Sequence, residues 1–135
     1  TEERPLKFGL LTPVPHVIRN EERMTRALET HQSSTDANGD EAFSFAVDVI
    51  RQAEAFGFHN TLVAQRFLGP DLEAWTLATA LAMRTSAIEV MVAVHPGMVS
   101  PQVVAKMGAT LDRISSGRCA INIVNGHWVE EFQLF

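Results

Sequence analysis

Short apolar runs and amphipathic stretches alternate along this chain. Residues 6–11 (LKFGLL) are mostly apolar and run into Thr12, Pro13, Val14 and Pro15, whose two prolines forbid regular pairing. They read as a first buried strand. From 16 to 40 the composition turns polar, and residues 32–39 (QSSTDANG) have the make-up of a loop. A connection of that length fits an insertion, of the kind that often serves as a functional lid. Residues 41–56 have helical spacing. Phe45, Val49, Ala53 and Phe56 make one apolar stripe, Ala46 and Ile50 lie beside it, and Gly57 is a good stop.

The second half repeats the alternation. Residues 60–64 (NTLVA) predict a strand, and 65–70 a loop. Asp71 is placed to cap a helix running through Trp75, Leu77, Ala78 and Leu81 to about Arg84. Residues 88–94 (IEVMVAV) are apolar and rich in β-branched side chains, a third buried strand closed by His95, Pro96 and Gly97. Ser100 followed by Pro101 is a strong helix start, and that helix carries Val104, Met107, Leu111 and Ile114 to a stop at Ser116 and Gly117. Residues 119–124 (CAINIV) predict a fourth strand, with Asn125, Gly126, His127 and Trp128 as its exit loop.

Strand, loop, helix, strand, helix, strand, helix, strand is the signature of right-handed crossovers and a parallel sheet. The fold class is α/β, and two architectures compete. A nucleotide-binding doubly wound sheet would carry a Gly-rich turn after its first strand. Here that turn is Thr12-Pro13-Val14-Pro15, and no GxGxxG occurs. The other architecture is a TIM-type (β/α)8 barrel, with its site at the C-terminal strand ends. Such barrels run to about 250 residues, so four strands amount to the first half of one.

Composition narrows the partners. The chain has 135 residues, 46% hydrophobic and 20% charged, as expected of one modest globular domain. Its net charge of −5 argues against nucleic acid and anionic membranes. No apolar run approaches the ~18 residues of a membrane span. Cys119 is the sole cysteine, so no internal disulfide can form, and a reducing, cytoplasmic setting fits. No zinc spacing, Walker loop or nucleophile elbow appears, and no metal is expected. Cys119 reads as structural, with only Arg118 beside it to lower its pKa. Asp112, Arg113 and Arg118 read as structural ion pairs, which in a barrel would lie near its bottom, and Trp75 as core or pocket lining.

Residues 100–126 (SPQVVAKMGATLDRISSGRCAINIVNG) carry the most specific signal. The block resembles a pattern shared by bacterial-luciferase-like flavin-dependent monooxygenases, nearest the alkanesulfonate and dimethyl sulfone branch. Over a dozen positions match in order. Agreement is weaker through the first three strands and weakest at 16–40. The resemblance implies a (β/α)8 barrel of which residues 1–135 are the N-terminal half. It implies FMN, reduced by a partner reductase, and a small organosulfur substrate (sulfone or alkanesulfonate) oxygenated with C–S cleavage. A related branch uses the deazaflavin F420. A non-catalytic or truncated flavin-binding barrel is a third possibility. Two unpaired strand edges further predict completion by more polypeptide or by a second copy, with a homo-oligomer expected and the isolated segment inactive.

The resemblance also points to residues. Gln65 and Arg66 follow the second strand, where the family places flavin contacts. Arg66 could also stabilise a peroxide anion. Asn122 matches the family's strand asparagine, whose amide suits the polar edge of a flavin ring. Glu131, nine positions on, is carried over from the pyrimidine-oxygenase branch as a cofactor contact. His95, closing the third strand, is the acid–base candidate by residue type and a flavin-pocket candidate by position. Arg66 and His95 are thus the catalytic candidates, and Gln65, Arg66, Asn122 and Glu131 the cofactor-binding ones. His127 stands where sulfone relatives often carry an aromatic.

Overall fold

The computed structural model describes residues 5–13, 41–68, 71–126 and 128–135. The insertion expected at 16–40 and the side chain of His127 lie outside the described residues. The elements are β1 (Gly9–Leu11), α1 (Glu41–Ala55), β2 (Asn60–Val63), α2 (Ala74–Ala82), β3 (Glu89–Val94), α3 (Pro101–Ile114), β4 (Cys119–Ile123) and a single turn, α4 (Val129–Phe132). The strands form one parallel sheet in the order β1-β2-β3-β4, as the alternating pattern predicts. These are the first four β/α units of a TIM-type barrel.

Strand periodicity sorts the sheet's two faces. Val63, Val90, Val92 and Val94 point to the helices and bury against Val47, Ile50, Leu77, Leu81 and Leu111. The opposite, inward face carries a row set by register: Leu11, Leu62, Met91 and Ala120 stand side by side. One row further toward the C-terminal ends, Ala93 is partnered by Asn122. At the helix layer, α3 comes close to β4. A β-carbon on Gly108 would lie 3.2 Å from Ile121 Cδ1, so a larger residue there would have to displace the Ile121 side chain.

Three expectations change. The first strand pairs in the sheet only from Gly9; before it, His59 N donates to Phe8 O (2.7 Å) and Lys7 Nζ lies 3.2 Å from His59 Nε2, but Leu6 and Phe8 are exposed rather than buried. In α1 the packed stripe is Ala46, Val47, Ile50 and Ala53, while Phe45 and Phe56 are 60% and 82% exposed. Both faces of α1 carry apolar residues, and the smaller side chains allow the closer approach to the sheet. The cap of α2 is Glu73, not Asp71: its carboxylate accepts from the N–H groups of Trp75 (2.9 Å) and Thr76 (2.8 Å). Ser100 caps α3 as expected, accepting from Val103 N at 3.4 Å.

Two side chains brace the loops at the N-terminal ends of the strands. Glu54 of α1 receives the N–H groups of Ser86, Ala87 and Ile88 on one oxygen and the Ser86 hydroxyl on the other. Burial alone would raise its pKa, but these four donors outweigh it and hold the carboxyl below its ordinary value of 4.5. The folded-state pKa is depressed, so the bond set stabilises above the unfolded value and is lost as pH falls through the folded one. Glu54→Gln should therefore lower stability at neutral pH and lose less of it on acidification below about pH 4.5, as chemical denaturation across pH would show. The second brace is Arg118, whose bonds run to four main-chain carbonyls and the Thr85 hydroxyl rather than to the acidic partner expected. Asp112 instead accepts from Cys119 N at 3.3 Å. Cys119 is half-buried, and burial first, then the charges of Asp112 and Glu89, pushes its thiol pKa up, consistent with a structural cysteine. Among the described residues no helix is long and apolar enough to cross a membrane.

Candidate active site at the strand ends

In parallel α/β sheets the C-terminal strand ends face one way, so residues just past β2, β3 and β4 gather on one side. Here they line a cleft of about 400 Å³. Gln65 and Arg66 come from the exit of β2, His95 from the exit of β3, and Asn122 from β4 itself. Leu62, Ala64, Ala93 and Val124 supply apolar walls, and Asn125, Gly126 and Trp128 complete the lining. Four of the five residues singled out from sequence thus meet in one place.

Three lining residues hold buried polar atoms with no hydrogen-bond partner among the described residues: Gln65 Nε2, His95 Nδ1, and Arg66 Nε, which has an ion-pair contact alone. Gln65 is 6% and His95 8% exposed. Leaving such a group unsatisfied costs about 1–3 kcal/mol, so a polar partner at either atom would be stabilising. His95 is also fixed from one side. A β-carbon on Gly126 would sit 3.1 Å from its Nδ1 and 3.3 Å from Cγ and Cε1, so the Gly126 backbone lies over the ring. Gly126 has φ +71°, which suits glycine on its own account.

Arg66 is restrained too. Its Nε lies 3.4 Å from Asp71 Oδ2, and its guanidinium carbon is 4.4 Å from the centre of the Trp128 ring. An ion pair and a cation–π contact together keep a positive charge at one position. Neither partner stood out in sequence. Asp71 could have been paired with Arg66 as an opposite charge on the same loop, five residues on. Trp128 had no such signal, since it approaches from another strand's exit.

Glu131 is the residue that the cleft does not gather. It is 1% exposed, and its Oε1 accepts from the main-chain N–H groups of Phe67 (3.0 Å) and Leu68 (3.2 Å). It thus faces the loop behind Gln65 and Arg66, and it is not among the residues lining the cleft.

Comparison with known families decides the placement of the chain. The model of the luciferase-like monooxygenase family matches residues 23–135. The chain belongs to this family. The oxygenating constituent of 3,6-diketocamphane monooxygenase from Pseudomonas putida, a type II Baeyer-Villiger monooxygenase solved with FMN, superposes with a TM-score of 0.69. It is 17% identical, with 96% of this chain and 32% of that one covered. A monooxygenase from Streptomyces bottropensis gives 0.70 at 21% identity, covering 96% and 36%. The coenzyme F420-dependent tetrahydromethanopterin reductase of Methanopyrus kandleri gives 0.62 at 21%, covering 92% and 28%. At these identities the likeness is one of fold. The chain spans about a third of the length of each of these structures. Within this luciferase-like unit, the four gathered residues occupy the barrel face where such folds place their chemistry.

Proposed function

We propose that the chain forms one wall of the flavin site of an FMN-dependent, two-component monooxygenase acting in the cytoplasm. The observation that carries the reading is the cleft. An apolar trough of Leu62, Ala64, Ala93 and Val124 is bordered by Gln65, His95 and Asn122, and two of these three hold unspent buried polar atoms. A flat, largely apolar ring system with one hydrogen-bonding edge fits both features. When bound, reduced FMN from a separate reductase supplies the electrons with which dioxygen oxygenates a small organosulfur compound, a sulfone or an alkanesulfonate, with C–S cleavage. The similarity of residues 100–126 to that branch supports the substrate class. Further β/α units of the barrel, from the same polypeptide or a second copy, would supply the remaining walls.

The residues divide the work. Gln65 and Asn122 present amides to the ring's polar edge, and each can donate or accept. His95, held against Gly126, offers Nδ1 for a hydrogen bond or a proton at a fixed position. Arg66 keeps its charge at the cleft lining, where it would stabilise negative charge developing beside it.

Titrating the intact protein with reduced FMN and with reduced F420 tests the cofactor. Preference for F420 would move the assignment to a deazaflavin-dependent oxidoreductase. Oxygen uptake with candidate sulfones and sulfonates tests the reaction, and no uptake with flavin bound would mean a flavin-binding protein without this activity. Asn122→Ala should weaken FMN binding several-fold, the loss of about 1 kcal/mol for one neutral hydrogen bond. Unchanged affinity would remove Asn122 from the site.

A further inference from the structure

We infer that Glu131 is a positioning residue: its buried carboxylate sets the location of Gln65 and Arg66 by anchoring the main chain immediately after them. The inference rests on the flavin reading of the cleft and gives that site its support. A carboxylate oxygen that receives two consecutive N–H groups fixes the peptide planes of that turn, here at Phe67 and Leu68. The bonds join residues 64 and 63 positions apart in sequence. They therefore tie the exit of β2 to α4, across the end of β3.

Two further contacts join the same segments. Phe67 meets Phe135 edge-on, ring centres 4.8 Å apart, and Arg66 lies against Trp128. With Asp71 3.4 Å from Nε, Arg66 has two restraining contacts. Residues 64–68 are otherwise a loop without helix or strand, whose side chains must be held to a fraction of an ångström if they are to meet a cofactor edge. Glu131 is 1% exposed and outside the cleft lining, and its Oε1 is placed to hold them; its Oε2 is buried with no hydrogen-bond partner among the described residues.

The test uses the intact protein with Glu131→Gln, Glu131→Asp and Glu131→Ala. Gln keeps an oxygen at the same reach. Asp keeps the charge but falls one methylene short. Three readouts are taken: FMN affinity, the visible absorption band of bound FMN, and hydrogen exchange at the Phe67 and Leu68 amides without flavin. Glu131→Gln should retain amide protection and stay close to wild-type affinity. Glu131→Asp and Glu131→Ala should lose protection at both amides and bind FMN about tenfold more weakly, with an altered flavin band. If the alanine variant does not fold, the glutamine and aspartate pair still decides. Near-normal binding in Glu131→Asp with a deficit in Glu131→Gln would mean that charge at the ligand matters, and would overturn the anchoring role. Lost amide protection with unchanged affinity and spectrum would also overturn it, since the loop would then not govern the site. If wild-type protein binds no flavin while its two amides are protected, the flavin reading fails and the anchor remains.

Discussion

Arg118→Ala should cost the fold about 3 kcal/mol or more, one of the largest effects of any single side chain outside the core. All five N–H donors of its guanidinium are in use. Nε reaches Ser115 O at 2.8 Å. One terminal nitrogen bonds Thr85 Oγ1 (3.1 Å) and Ile88 O (3.0 Å), and the other Ala82 O (2.8 Å) and Thr85 O (3.2 Å). These acceptors come from the end of α2, the loop into β3 and the end of α3, so one planar fork joins three segments. Removing it leaves four main-chain carbonyls in half-buried surroundings without a donor. Arg118→Lys should recover less than half of the lost stability, because an ammonium at one point cannot reach acceptors spread around a plane. Asp112→Ala should be mild by comparison. The stability deficit of Arg118→Ala should change little with added salt, since carbonyl bonds are screened far less than an exposed ion pair. A lysine variant as stable as wild type would show that charge, and not the fork, is what counts.

Gly126→Ala should strike the site more than the fold. An L-residue at φ +71° costs about 1–2 kcal/mol in backbone strain. The added methyl would also press on three atoms of the His95 ring at 3.1–3.3 Å, closer than an unstrained contact allows. His95 is buried, so its ring can yield only by displacing its neighbours or by moving into the cleft. Flavin affinity should fall at least about tenfold, equivalent to about 1.4 kcal/mol, with a smaller loss of global stability. Binding titration, with NMR of the His95 ring signals, would measure both parts. An unmoved ring and unchanged affinity would mean that the exit of β4 can shift aside, and that His95 is not held by Gly126.

Both effects sit on contacts that sequence did not disclose, and the reason is physical. The sequence by itself determined the alternation of elements, because the information is local. Short β-branched runs such as residues 88–94, a Ser100-Pro101 start, and turn residues between them select strand and helix within a few positions. Parallel order follows from that alternation, and with it the gathering of Gln65, Arg66, His95 and Asn122, since successive parallel strands end on one side. The block at 100–126 was specific enough to indicate the family. What the tertiary structure alone decided was the choice between locally equivalent partners. Helix α1 offers apolar residues on two faces, and only its seat on the sheet selects Ala46, Ile50 and Ala53 over Phe45 and Phe56. Asp71 and Glu73 are both acidic residues before α2, and the position of Arg66 takes the first and leaves the second as the cap. Arg118 and Glu131 bind main-chain carbonyls and N–H groups, which almost every residue possesses, so no side-chain pattern marks their partners. Glu131 was read from sequence as a cofactor contact, whereas its bonds to the loop 63 positions away exist only once the exit of β2 and α4 come together across the end of β3.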